Sequence, residues 1–126
     1  MSDLKSVASH LKRLGYEIEE EEHFVRAAHE NHPVILARGF EAGVMLVTAF
    51  RVNKDNAEPA TLYFVNDLNL QAIAARFVVD RDGDFTMEVW MPSPYDPQIF
   101  TNLFARWQSD LAMVLHHDQA KGVLAN

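Results

Sequence analysis

Residues Ala74–Met91 read AARFVVDRDGDFTMEVWM, and this stretch decides the fold. Its halves, Ala74–Asp80 and Phe85–Met91, are rich in Val, Phe, Met and Trp and flank Asp82-Gly83. Glycine accepts positive φ without steric cost, so Asp-Gly between two apolar runs signals a tight reversal and two antiparallel strands. Asp80, Asp82 and Asp84 also imitate the first ligands of a calcium loop. The imitation ends there, because Phe85 stands where that loop needs its glycine and Met91 where it needs its glutamate.

Toward the N-terminus, Leu62, Val65, Leu68, Asn69 and Ala72 recur at helical spacing, with Pro59 suited to a first turn and Asn53–Pro59 reading as a loop. Before the loop, His23–Glu30, Val34–Phe40 and Val44–Val52 read as three strands separated by turns at Asn31-His32-Pro33 and Glu41-Ala42-Gly43. In the third, Leu46, Thr48, Phe50 and Val52 alternate with Met45, Val47, Ala49 and Arg51, so both faces are largely apolar and a central position is expected. The glutamates at 17 and 19–22 read as a linker leading into a strand. Leu4, Val7, Ala8, Leu11 and Leu14 form an amphipathic helix, with Ser2 or Asp3 as N-cap and Gly15 as stop.

Toward the C-terminus, Pro92, Pro94 and Pro97 deliver the chain to a helix over Pro97–His116. Its stripe of Ile99, Phe100, Leu103, Phe104, Trp107, Leu111, Val114 and Leu115 is broad enough for a core and a partner. Phe100, Phe104, Trp107 and Leu111 are therefore the candidate partner or dimer surface. The expected fold is α+β, an antiparallel five-stranded sheet with three helices in the order α-β-β-β-α-β-β-α. It forms one domain over residues 1–117, and residues 118–126 follow as a flexible tail without periodic pattern.

The composition excludes several function classes. The chain has 126 residues, 48% of them hydrophobic, enough for a core without disulfides or metal. It contains no cysteine, which removes thiolate metal sites and cysteine nucleophiles and fits the cytoplasm. Asp3, Lys5, Lys12 and Arg13 interrupt the first apolar segment, so no leader or membrane anchor is read there. A formal charge of −7 disfavours nucleic acid and anionic membrane.

No glycine-rich phosphate loop, nucleophile elbow or zinc-peptidase helix occurs. Six histidines invite a metal reading, but His23 and His29 would lie roughly 20 Å apart along a strand. His32 falls in a turn, and His116 and His117 point about 100° apart on a helix. No catalytic, cofactor or metal residues are assigned, although Asp67, Glu88 or Asp110 could still join a dispersed acid–base site. Asn66 and Asn69 are amides in an apolar helix, suited either to bonding backbone at a neighbouring strand end or to closing the helix.

Four segments taken together resemble the YbjN-like family of bacterial sensory transduction regulators, with its type III secretion chaperone-like fold. They are Leu11-Lys-Arg-Leu-Gly15-Tyr16, Leu62-Tyr-Phe-Val-Asn66-Asp-Leu-Asn69, Ala75–Phe85 and Phe100-x-x-Leu103-Phe104, and the likeness spans residues 4–115. The resemblance implies a non-enzymatic, dimeric protein whose relatives include chaperones holding extended segments of secreted proteins. It carries over no catalytic residues and no cofactor. The expected function is a homodimeric binding or regulatory module with a protein or peptide partner. The alternative is a small-ligand sensor with a pocket near Tyr63, Trp90 and Tyr95.

Overall fold

A computed structural model describes residues 2–54 and 58–125. In chain order the elements are α1 (Asp3–Arg13), β1 (Glu17–Glu20), β2 (Phe24–His29), β3 (His32–Phe40), β4 (Gly43–Phe50), α2 (Glu58–Gln71), β5 (Arg76–Val79), β6 (Phe85–Pro92), α3 (Pro97–His116) and α4 (Ala120–Val123). The strands lie in the order β1-β2-β3-β4-β6-β5, with β4 interior as its two apolar faces require. The expected loop over Asn53–Pro59 includes residues 55–57, which lie outside the described residues.

The α+β class holds, but among the described residues the sheet has six strands rather than five and there are four helices rather than three. The added strand is β1, within the glutamate run that reads as a linker. It pairs antiparallel with β2, Glu17 opposite Ala28 and Glu20 opposite Val25. An edge strand leaves one row of backbone groups in water, where charged side chains are well solvated and discourage further pairing. Acidic composition therefore selected the edge, and did not prevent the strand.

The added helix, α4, falls in residues 118–126, where no regular element was expected. Ala120 and Val123 are buried, and Leu124 bridges Val52. Asn53 N–H donates to the Val123 carbonyl at 2.7 Å. Four residues are too few for a periodic signal, so this element depends on tertiary contacts. The β2–β3 turn also shifts. His29 pairs with His32, leaving Glu30-Asn31 as the connection, and Pro33 stays inside β3.

The chain divides into two compact units. The first contains the chain up to Thr48 together with Glu88–Leu103. Here the Ser2 hydroxyl accepts from Lys5 N–H at the start of α1. Gly15, at φ +99°, ends that helix with Gly15 N–H on the Lys12 carbonyl and Tyr16 N–H on the Leu11 carbonyl. Val7, Ala8 and Leu11 of α1 are buried, and the helix packs on β1, β2 and β3. Val25, Ala27, Ile35, Ala37, Leu46, Val89 and Met91 supply the buried strand positions.

The second unit contains Ala49–Met87 and the chain from Phe104 onward. Its core is aromatic. Phe85 stacks on Phe77 at 5.7 Å and meets Phe64 and Phe50 at 5.6 and 5.5 Å. Trp107, Leu68 and Val114 are buried in the same unit. The Asp-Gly turn forms as the sequence dictates, with Gly83 at φ +85°. Asp80 Oδ1 accepts from Asp82 N–H and Asp84 N–H, both at 2.9 Å. The carboxylate that imitates a calcium ligand is thus an acceptor for its own turn.

Candidate binding surfaces

Side chains alternate along a strand, so the residues between the buried ones share the opposite face. In the first unit these are Leu36, Arg38 and Phe40 on β3, Met45 and Val47 on β4, and Trp90 on β6. The register aligns Leu36 with Val47 and Arg38 with Met45. Leu36, Phe40 and Trp90 remain 37%, 50% and 42% exposed.

Phe40 and Trp90 hold this face at one end, with ring centroids 5.8 Å apart. Gly43 lies opposite Phe40 in the ladder. A Cβ there would stand 2.4 Å from the Met91 carbonyl oxygen and 2.7 Å from the Trp90 ring. Glycine is thus what lets the indole approach this strand so closely. Toward β1 the face becomes charged, with Arg26 opposite both Glu19 and Leu36. The Arg26–Glu19 ion pair is long at 3.9 Å and exposed, so its contribution to stability is small.

The four residues expected to form the partner surface lie elsewhere. Phe100, Phe104, Trp107 and Leu111 are between 2% and 7% exposed and belong to the core. The stripe of α3 is broad because the interior consumes most of it, and only Ile99 and Leu115, at its margins, are strongly exposed. The surplus apolar surface is on strands. Its signal was legible in β3 and β4, which are apolar at both alternations while only one of their faces is buried.

The polar candidates resolve individually. Asp110, on α3 and 2% exposed, accepts from three successive backbone N–H groups, at 3.0 Å from Ile73 and 2.8 Å from each of Ala74 and Ala75. That carboxylate organises the α2–β5 connection and is not free for proton transfer. Asn69 donates to the Phe77 carbonyl and accepts from Phe77 N–H, both at 2.8 Å. Its amide satisfies edge strand β5 as a neighbouring peptide would. Asn66 is exposed, and Glu88 is half-buried and partnered.

Asp67 and His117, fifty positions apart, are brought together. Asp67 Oδ2 lies 2.6 Å from His117 Nε2 and also accepts from Gln71 Nε2 at 2.9 Å. Gln119 N–H donates to His117 Nδ1 at 3.1 Å, which requires the tautomer with its hydrogen on Nε2. Both imidazole nitrogens are occupied, so the pair lacks the open nitrogen a general base needs. It borders an open cleft of about 480 Å³ in the second unit, lined also by Tyr63, Met113 and Asp118.

In the first unit Asp3 accepts from the Ser93 hydroxyl and from Tyr95 N–H, and these bonds hold its carboxyl below the usual range. His10 Nδ1 meets the Tyr95 hydroxyl at 2.6 Å while its ring stacks on Phe100 at 4.2 Å. Burial, with Arg13 nearby, lowers the His10 pKa below 6.5. Burial likewise raises the Tyr16 phenol above its ordinary value. Tyr95 lines a cavity of about 20 Å³, room for about one water and too small for a metabolite. His29 and His32 face each other with ring centroids 4.5 Å apart. Among the described residues, no group of three or more His, Cys, Asp or Glu side chains could hold a metal ion.

The family model described as "Putative bacterial sensory transduction regulator", YbjN, matches residues 3–116. The crystal structure of YbjN from E. coli, described as "a putative transcription regulator", superposes with a TM-score of 0.77 at 12% identity, covering 98% of this chain and 96% of the other. A chain of the heterodimeric ExoU–SpcU complex from the Pseudomonas aeruginosa type III secretion system superposes at 0.62, also at 12% identity, covering 82% and 89%. At that identity the likenesses show the fold. No curated protein matches the sequence. Among the described residues, no helix is long and apolar enough to cross a membrane.

Proposed function

This chain belongs to the YbjN family, and from that premise we propose that it is a non-enzymatic binding and regulatory module. In this reading it holds a protein or peptide partner on the uncovered sheet face and works as a cytoplasmic homodimer. The observation that carries the reading is that face, where Leu36, Phe40 and Trp90 stand in solvent beside Met45 and Val47. A contiguous apolar patch on an acidic protein costs solubility unless something covers it. An amphipathic or extended segment suits it, since a strand face offers rows of side chains at a period of two residues.

Support comes also from the chemistry that is committed elsewhere. Asp110 is saturated by backbone donors and His117 by Asp67 and Gln119, so neither is available for acid–base work. The fold is shared with a chain from a complex of two different proteins. We place self-pairing on the same face, because an isologous contact needs a self-complementary patch and this one carries apolar residues and both signs of charge. A partner segment then displaces the second copy. The cysteine-free composition supports the cytoplasmic part of the reading.

Light scattering after size exclusion tests the self-pairing. A dimer is expected for the native chain and a monomer for Leu36→Asp with Phe40→Ser. A native monomer removes the homodimer, and a partner captured equally by native and substituted protein removes the sheet face.

A further inference from the structure

The cleft of the second unit is a separate feature and stands without the sheet-face reading. Tyr63, Asp67 and Gln71 project from α2 at intervals of four, so they lie along one side of the helix. Met113, His116, His117, Asp118 and Gln119 complete the lining. Asp67 Oδ2 is engaged twice, by Gln71 and by His117, and these two donors fix the orientation of the carboxylate. Its other oxygen, Oδ1, has no protein donor among the described residues, and the side chain is one-third exposed. One turn earlier Tyr63 is 62% exposed. Asp118 adds a second, exposed carboxylate.

A carboxylate clamped on one oxygen and open on the other, beside an aromatic ring, has a definite complement. The occupant must be cationic, must donate hydrogen bonds, and gains from a flat face that stacks on a phenol. A guanidinium meets all three conditions, while an ammonium lacks the flat face. The imidazole of His117 offers no general base here, because Gln119 N–H occupies its Nδ1. The chain's charge of −7 draws cations toward it. We infer that this cleft binds an arginine side chain of a partner polypeptide, with Asp67 Oδ1 as principal acceptor, Asp118 as second carboxylate and the Tyr63 ring as stacking surface.

The test is an amide-resolved NMR titration of the full chain with N-acetyl-arginine amide, which presents arginine as a polypeptide does. N-acetyl-citrulline amide, of similar shape but uncharged, is the control, and free L-arginine is the third arm. Saturable shifts are expected at Tyr63–Gln71 and His117–Gln119 with the blocked arginine and not with the citrulline. Tyr63→Ala, which removes an exposed side chain, weakens the response about threefold by loss of stacking. Asp67→Asn abolishes it in a protein whose remaining spectrum is unchanged. Equal response to citrulline, no response at these amides, or response to free L-arginine alone overturns the inference.

Discussion

Replacing Asp110 by alanine tests the internal logic of the second unit. The native carboxylate, 2% exposed, accepts four hydrogen bonds from three N–H groups, with Ile73 shared between its two oxygens at 3.0 and 3.2 Å. A hydrogen bond to a charged group contributes about 1.5–3 kcal/mol, so three donors have a gross value of roughly 4–9 kcal/mol. Removing a buried carboxylate also removes its desolvation cost of several kcal/mol. The net loss for Asp110→Ala is therefore about 3–5 kcal/mol, a large part of the roughly 5–15 kcal/mol that holds a domain folded. Asp110→Asn keeps one acceptor and turns an amide NH₂ toward donors, for about 1.5–3 kcal/mol. Urea unfolding followed by far-ultraviolet dichroism gives both values, and hydrogen exchange at residues 73–75 localises the change. A loss below about 1 kcal/mol for Asp110→Ala, with an unchanged denaturant slope, would refute the assignment of Asp110 as the acceptor that orders this connection.

Other substitutions have equally specific outcomes. Asn69→Ala removes both bonds to Phe77 and is expected to lower stability by about 1–2 kcal/mol while freeing the β5 edge, so light scattering should report association that rises with concentration. Gly43→Ala forces a Cβ against the Met91 carbonyl and the Trp90 ring and should cost about 1–3 kcal/mol in thermal or urea unfolding. His10 has a folded pKa below its unfolded value of 6.5, so as pH falls through 6.5 the unfolded chain takes up the proton first. Stability due to His10 is therefore complete above 6.5 and declines on acidification toward the depressed folded value. Urea midpoints across this window should fall less steeply in His10→Gln, and an identical slope would refute the attribution. Leu36→Asp with Phe40→Ser should change stability by no more than about 1 kcal/mol, because neither side chain belongs to the core.

Much of the fold was legible because its signals are local. Pro97 and the proline run before it set the start of α3, and Asp82-Gly83 set the β5–β6 turn. Gly15 closed α1 through a left-handed residue, as only glycine does readily. The glutamates of β1 hid a strand because composition reports solvation, and an edge strand is solvated as a linker is. The α4 helix was hidden because its stability comes from pairing near Val52, more than sixty residues away. The α3 stripe reads as available surface, though it is buried, for a related reason. Periodicity identifies the apolar stripe of α3 but not how much of it the interior uses. The strand faces held the useful clue, since Val34, Leu36 and Phe40 alternate with Ile35 and Ala37 in a sheet that buries only the second set in this unit. For Asn69 the sequence leaves strand bonding and helix closure both open, and the bonds to Phe77 select the first. Asp67 and His117 are separated by fifty residues, and no spacing rule links them.

Docking of a partner on the exposed sheet face is the central proposal for this protein. Photo-crosslinking in living cells addresses it most directly, with benzoylphenylalanine installed at Leu36 or Trp90 on the face and, as a control, at exposed Gln108 on α3. Discrete adducts from positions 36 and 90, with none from 108, are the predicted result, and mass spectrometry then identifies the attached chain as a second copy or another protein. Adducts absent from both face positions, or formed equally at Gln108, would contradict the claim.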